Sequence, residues 1–150
     1  MRIARALALA VALALSGPAT AQHPVTLSEQ ERRALDGYQR ETLVCANYFM
    51  LLQRCLTNSS APAKMILSAR NAADDLILTG LATGKAIGLT EDAMQARMKA
   101  EGDAIMALVG GDCGQIDVAS DQHLKRCTRV AANGTAVLDQ YLKEAGAAQK

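Results

Sequence analysis

The stretch that decides the fold is residues 28–57, SEQERRALDGYQRETLVCANYFMLLQRCLT. Apolar and small side chains recur in it every three or four residues, as on one side of an α-helix packed in a bundle. Ser28 followed three residues later by Glu31 matches a capping box, which predicts that the helix begins near Ser28. The sequence therefore predicts one long helix whose packed side contains Leu35, Tyr38, Thr42, Cys45, Phe49, Leu52 and Leu56.

Two of the four cysteines, Cys45 and Cys55, lie on this predicted helix. Ten residues of α-helix rise about 15 Å, whereas a disulfide tolerates a Cα separation of only about 7 Å. Each cysteine must therefore pair with Cys113 or Cys127, which leaves two connectivities open. In an up-down bundle of four helices the first and fourth run antiparallel, and that order favours Cys45 with Cys127 and Cys55 with Cys113. The opposite pairing requires a different topology.

The rest of the chain has helical periodicity as well. Segments 62–88 and 90–110 each read as one helix, and a further helical stretch begins near Ile116 and is divided at Asn133-Gly134. We predict an all-α fold, a disulfide-stapled up-down bundle of four or five helices. The residues expected on the packed sides of these segments are Ile66, Ala69, Ala73, Leu76, Gly80, Thr83, Ile87, Met94, Met98, Ile105, Val109, Leu124, Cys127, Val130, Ala131, Val137, Leu138 and Tyr141.

The first 21 residues have the pattern of a secretory signal peptide. Two arginines precede the apolar run 6–15, and Ala19-Thr20-Ala21 matches a small-residue cleavage site. The run is about half as long as the roughly 20 apolar residues that cross a membrane. We therefore predict a signal peptide at 1–21 and a single helical domain at 22–150. The product is expected to be periplasmic or secreted, with no stable membrane insertion after cleavage.

Composition and cysteine spacing argue against several classes of partner. The net charge is +1, and the chain has no Trp, one Phe and three Tyr. A basic phosphate-binding surface and a base-stacking platform are therefore not expected, and we predict no nucleic-acid binding. The spacings of the cysteines do not match zinc or C-x-x-C redox motifs, so we predict disulfides, no metal site and no cofactor.

Residues that could support catalysis are few. His23 follows the predicted cleavage site, and His123 has no carboxylate at a spacing that shares its helical face. The carboxylate pairs 74–75 and 91–92 are interpreted as solvated helix surface and as N-terminal capping. We predict no catalytic residue and expect that the protein is not an enzyme.

Several segments between residues 38 and 130 share a common pattern, namely CANYF at 45–49, Cys55, GKAIGLT at 84–90, Met94, Arg97 and GDC at 111–113. Together they resemble an uncharacterised family of small, exported proteobacterial helical proteins with four cysteines. The shared motifs are cysteine spacings and helix boundaries. The resemblance therefore supports the cysteine framework and implies no activity.

These observations favour a protein that acts by binding in the cell envelope, through a role in envelope maintenance, chaperone-like action or inhibition of an envelope enzyme. Such a protein would expose an apolar patch, for example on 94–109. The alternative is a small-ligand carrier, which needs an apolar cavity between helices. An enzyme is the third hypothesis and would need a polar cluster around His123.

Overall fold

The computed structural model describes residues 27–147, and this part of the chain is all-helical, with no strands. The all-α prediction is therefore confirmed for these residues. The predicted signal peptide at 1–21 and His23 lie outside them. The five helices are α1 (Glu29–Asn58), α2 (Ala63–Ala86), α3 (Glu91–Leu108), α4 (Ile116–Ala132) and α5 (Gly134–Ala147).

Local signals set the helix ends. At the start of α1 the Glu31 N–H donates to Ser28 Oγ at 3.2 Å, and the Ser28 N–H donates to the Glu31 carboxylate at 2.8 Å, which confirms the capping box. Thr90 caps α3 by accepting a hydrogen bond from the Ala93 N–H at 3.2 Å. Between α2 and α3, Gly88 has a φ of +81°, a left-handed conformation that glycine adopts without a steric penalty.

Helix α1 is the centre of the fold, because it packs against each of the other four helices. We expected one packed side, but α1 is buried around most of its circumference. Polar residues such as Gln39, Glu41 and Asn47 are buried along with the apolar ones. Whether the helices follow the up-down order of a four-helix bundle stays a prediction.

Small residues bring α2 close to α1. Ala69, Ala73, Gly80 and Gly84 are all buried on α2. A Cβ added to Gly80 would lie 2.7 Å from Leu43 Cδ2, a distance that real Cβ atoms do not tolerate. A larger residue at position 80 would therefore require Leu43 and Thr42 to shift.

Two disulfides tie the end of the chain to α1. Cys45 pairs with Cys127 at a Cα separation of 5.0 Å, and Cys55 pairs with Cys113 at 5.4 Å. This is the connectivity that antiparallel placement favours. Cys45 and Cys127 are fully buried, whereas Cys113 is half-buried in the loop before α4.

Two expectations about α4 are wrong. Leu124 is 45% exposed and Ala131 is exposed, although both were expected on the packed side. The buried positions of α4 are Ala119, Cys127 and Val130, and Leu124 lies beside that narrower stripe. Within residues 27–147, no helix combines the length and the apolar character that crossing a membrane requires.

Candidate functional site

The candidate site is a groove between α2 and α3. Both helices pack on α1 but make few contacts with each other, one of them between Gly84 and Met94, so a strip of α1 lies between them. The groove has a volume of about 510 Å³ and is open to solvent. The residues that shape it are Asn47 of α1, Ile77 and Leu81 of α2, and Met94, Met98 and Gly102 of α3.

Asn47 forms the floor of the groove. Its side chain is almost fully buried, and Nδ2 donates hydrogen bonds to the carbonyl oxygens of Leu43 and Met98, each at 3.0 Å. Nδ2 also lies 3.3 Å from Met98 Sδ, a weak acceptor. One amide therefore holds the middle of α3 against α1 and orients a methionine at the groove.

Gly102 makes this approach of α3 to α1 possible. A Cβ at this position would lie 2.8 Å from Asn47 Oδ1, which is too close for an undisturbed contact. Glycine in a helix interior costs roughly 1 kcal/mol relative to alanine, so its use here is explained by packing rather than by helix propensity.

The walls of the groove are apolar and adaptable. Ile77 and Leu81 face Met94 and Met98 across it. Leu78 lies three residues before Leu81, on the same side of α2, and is 65% exposed. Methionine side chains are flexible and polarizable, and they let a binding surface adapt to different apolar partners.

The rim of the groove on α3 is polar and charged. It consists of Glu91, Gln95, Lys99 and Asp103. Lys99 forms a salt bridge with Asp103, one turn further along α3. The Lys99 charge is thus already paired within its own helix, whereas Glu91 has no salt bridge among residues 27–147.

A second, smaller depression lies on the other side of Asn47 and Gly102. Its volume is about 200 Å³, and Met50, Ile105 and Met106 line it. Methionines therefore occur on both sides of the contact between Asn47 and Gly102. We regard the larger groove as the candidate site because it has more volume and continues onto exposed Leu78.

Where α1 meets α4 and α5, a partly buried polar cluster joins the three helices. Glu41 of α1 accepts hydrogen bonds from Arg126 of α4 and, at 2.6 Å, from the Tyr141 hydroxyl of α5. Burial alone raises the pKa of Glu41, but these two hydrogen bonds and the charges of Arg126 and Arg129 outweigh it, so the pKa is lowered. Glu41 is therefore a charged, paired carboxylate that fixes α4 and α5 to α1.

His123 lies on this same side of the molecule, next to Tyr48. The two ring centroids are 5.9 Å apart, and neither ring nitrogen of His123 has a hydrogen-bond partner among residues 27–147. Burial and the nearby charge of Arg126 lower the pKa of His123. The structure thus brings no carboxylate to His123 within the described residues. That the protein is not an enzyme stays a prediction.

The four cysteines form the two disulfides and none is free. In the described part of the chain, no group of three or more His, Cys, Asp or Glu residues is placed to hold a metal ion. The carboxylate pairs singled out in the sequence are exposed: Asp74 and Asp75 on α2, and Glu91 and Asp92 in the first turn of α3.

The sequence analysis missed two of the residues that shape the groove. Asn47 and Gly102 were not singled out, although a glycine in the middle of a helix is a signal of close contact. Met94 and Met98 were expected to be packed, and the structure has Met94 buried and Met98 half-buried at the groove.

Comparisons with protein families, with curated proteins and with solved structures find no match to this chain. The resemblance to small exported proteins with four cysteines therefore stays an expectation.

Proposed function

We propose that this chain is an exported periplasmic protein that acts by binding an amphipathic helical segment of a protein partner in the groove between α2 and α3. Export is supported by the predicted signal peptide at 1–21. Two disulfides also support it, because disulfides persist in oxidising compartments such as the periplasm.

The observation that carries the proposal is the open apolar groove with exposed Leu78 at its edge. An amphipathic helix binds by placing apolar side chains, spaced three or four residues apart, into a groove of this kind. Ile77, Leu81 and Met98 would contact those side chains in the groove, and Leu78 would extend the contact over the surface of α2.

A small apolar ligand is the second candidate occupant. The volume of about 510 Å³ falls within the range of ligand sites, about 300–1,000 Å³. We favour a helix because the groove is open to solvent and its apolar surface continues outside the concave part, onto Leu78. A carried ligand would leave Leu78 exposed to water.

The test uses a designed neutral peptide of about 18 residues, long enough to form an isolated helix, with leucines on one side and glutamines on the other. Titration into protein with labelled methionine methyl groups should shift the signals of Met94 and Met98. Affinity is measured by calorimetry. Medium-chain fatty acids serve as the small-ligand probe.

Two matched variants locate the site. Leu78→Asp places a charge at the edge of the groove and should weaken peptide binding about tenfold or more, because the charge must be desolvated. Leu124→Asp makes the same change at an exposed leucine of α4, away from the groove, and should leave binding unchanged. Equal effects of the two variants, or binding of the fatty acid without the peptide, would contradict the proposal.

A further inference from the structure

The two disulfides differ in their access to solvent. Cys45 and Cys127 are fully buried, so a thiol can reach that bridge only when the surrounding helices separate. In the other bridge Cys55 is buried, but Cys113 is half-buried and both of its neighbours in the chain are exposed. Thiol–disulfide exchange requires access to a sulfur atom, and exposed bridges are the labile ones. Of the four cysteines, Cys113 is therefore the one most accessible to an attacking thiol.

The groups around Cys113 are small or polar. Gly111 and Gly114 have no side chains that could cover the sulfur, and the Asp112 carboxylate accepts a hydrogen bond from the Gly114 N–H at 2.7 Å. Asn58 is exposed, and its Nδ2 lies 3.9 Å from Cys113 Sγ. An exposed polar side chain can move aside into water at little cost, so a partner can approach this sulfur without opening the core.

The same bridge is closely coupled to the C-terminal end of α3. The Gly111 N–H donates to the Met106 carbonyl oxygen at 3.1 Å, so the chain as far as Gly111 is hydrogen-bonded to the last turn of α3. Only Asp112 separates this turn from Cys113. Met106 lines the smaller depression together with Gly102, which also lines the groove. The bridge therefore restrains, through one intervening residue, the helix that forms one wall of the groove.

Noncovalent contacts also hold this half of α3. Ile105 and Val109 are buried in the core, and Asn47 donates to the Met98 carbonyl oxygen. These contacts remain when the bridge is opened, but they then act without a covalent tie to α1. We therefore expect reduction to leave the protein folded and to make the C-terminal half of α3 more mobile.

We infer that the Cys55–Cys113 bridge is a site of thiol–disulfide exchange with a dithiol protein, and that its reduction weakens binding in the groove. A thiolate of a Cys-x-x-Cys dithiol attacks Cys113 Sγ, the S–S bond breaks, and Cys55 leaves as a thiolate. The second sulfur of the dithiol then attacks the mixed disulfide and releases Cys113. In sum, the bridge gains two electrons and two protons, and the dithiol becomes a disulfide.

The effect on binding rests on the proposed function. A helix in the groove contacts both walls, so α3 must be fixed on α1 in the complex. In the oxidised protein the bridge already restrains α3. In the reduced protein α3 has to be ordered on binding, and this loss of conformational freedom lowers the affinity.

The first experiment follows exchange in the folded, oxidised protein, with reduced thioredoxin as the dithiol. New thiols are alkylated at intervals and located by peptide mass. Cys55 and Cys113 should be alkylated about tenfold or more faster than Cys45 and Cys127, because only their bridge is accessible. A thioredoxin variant without its second cysteine should be trapped on Cys113. Opening of both bridges at one rate, trapping on Cys55, or no exchange while a reference disulfide is reduced would overturn the inference.

The second experiment measures binding of the neutral leucine and glutamine peptide by calorimetry. Protein reduced at this bridge alone should bind the peptide several-fold more weakly than the oxidised protein, and reoxidation should restore the affinity. The control is Cys55→Ser with Cys113→Ser, which should bind as the reduced protein does and should not respond to thioredoxin. A response of this variant would assign the effect to the buried bridge and contradict the inference.

The outcomes separate the two ideas. If exchange selects this bridge but the peptide binds both forms equally, the inference about regulation is wrong and the groove proposal stands. If the peptide binds neither form, the groove proposal itself is wrong, while selective alkylation of Cys55 and Cys113 would still support the exchange site.

Discussion

Helices α2 and α3 both pack on α1, but they do so in opposite ways. On α2 the contact residues are small, and Gly80 lets the helix lie directly against Thr42 and Leu43 of α1, while Gly84 lies against Gln39 of α1 and Met94 of α3. On α3 the long side chain of Met98 extends into the space between the helices, and a groove of about 510 Å³ remains. Side-chain size at the contact thus determines whether two helices close together or leave room for a partner.

The difference has a physical consequence for rigidity. Protein interiors are close-packed, so the contact between α1 and α2 has little room to adjust. The contact between α1 and α3 combines buried Ile105 with the polar anchors Asn47 and Arg97, and flexible methionines lie around these anchors. We therefore expect α2 to tolerate less added volume and α3 to open more easily.

The largest effect should come from the disulfide near the end of α3. Cys55→Ser with Cys113→Ser removes a bridge with a sequence separation of 58 and should lower the free energy of unfolding by about 4 kcal/mol. Amide hydrogen exchange should then show that α3 loses protection before α2, because the loop that follows α3 is released.

The control for that prediction is the buried bridge. Cys45→Ser with Cys127→Ser spans 82 residues and should cost about as much stability, since the entropic effect depends only weakly on loop length. Loss of this bridge should lower the hydrogen-exchange protection of α2 and α3 to a similar extent. Equal loss of protection in α2 and α3 for both variants would contradict the contrast between the two helices.

Adding volume to α2 should have the next largest effect. Gly80→Leu forces a side chain against Leu43 Cδ2 and Thr42 and should lower the free energy of unfolding by about 3 kcal/mol, as overpacking does. Ala82→Leu adds a leucine at an exposed position of the same helix and should change stability by no more than about 0.5 kcal/mol. Urea denaturation measures both, and a tolerated Gly80→Leu would show that α2 can move.

Removing the charged anchor of α3 should cost somewhat less. Arg97→Ala breaks the hydrogen bonds to Asp36 and Gln39 and should lower stability by about 2 kcal/mol, because the buried Gln39 Oε1 loses its donor. Lys99→Ala breaks only an exposed pair with Asp103 and should cost about 0.5 kcal/mol or less. Similar effects of the two variants would show that Arg97 does not anchor α3.

The smallest effect concerns pH and comes from His123 of α4, which lies beside Tyr48 of α1 rather than at the contacts of α2 or α3. His123 has a lowered pKa in the folded protein, so the unfolded chain binds a proton more readily, and stability falls as the pH falls below the ordinary value of 6.5. His123→Phe keeps a ring beside Tyr48, removes two unpaired nitrogens and should gain about 1 kcal/mol at pH 7.

Unfolding free energies at pH 7 and pH 5 check this prediction. The wild-type protein should lose stability over that range, and the phenylalanine variant should lose less. Glu41, whose pKa is also lowered, contributes stability that is lost only as the pH falls below its ordinary value of 4.5. Equal losses of stability in the wild-type protein and the phenylalanine variant between pH 7 and pH 5 would contradict this account.

Much of the helical structure could be predicted from the sequence because its signals are local. Ser28 with Glu31 predicted the start of α1, and the structure has that capping box. The same reasoning failed for Leu124, because periodicity gives the side of a helix but not the width of the stripe that its neighbours cover. Burial of α1 around most of its circumference was missed for the same reason.

The candidate site could be predicted only in part. Met94 and Met98 were expected to pack, and the segment 94–109 was expected to supply an apolar surface. The partners of that surface come from elsewhere in the chain: Asn47 meets Met98 across a separation of 51 residues. No local pattern states which side chains meet over such a distance, so the floor of the groove could not be foreseen.

By itself, the sequence determined the helices of residues 27–147 and the rule that Cys45 and Cys55 must each bond to a cysteine further along the chain, because helix periodicity and rise act over short distances. The tertiary structure alone decided that α2 closes on α1 while α3 leaves a groove, and that Arg97 of α3 meets Asp36 and Gln39 of α1. Both depend on how helices from distant parts of the chain are placed in space.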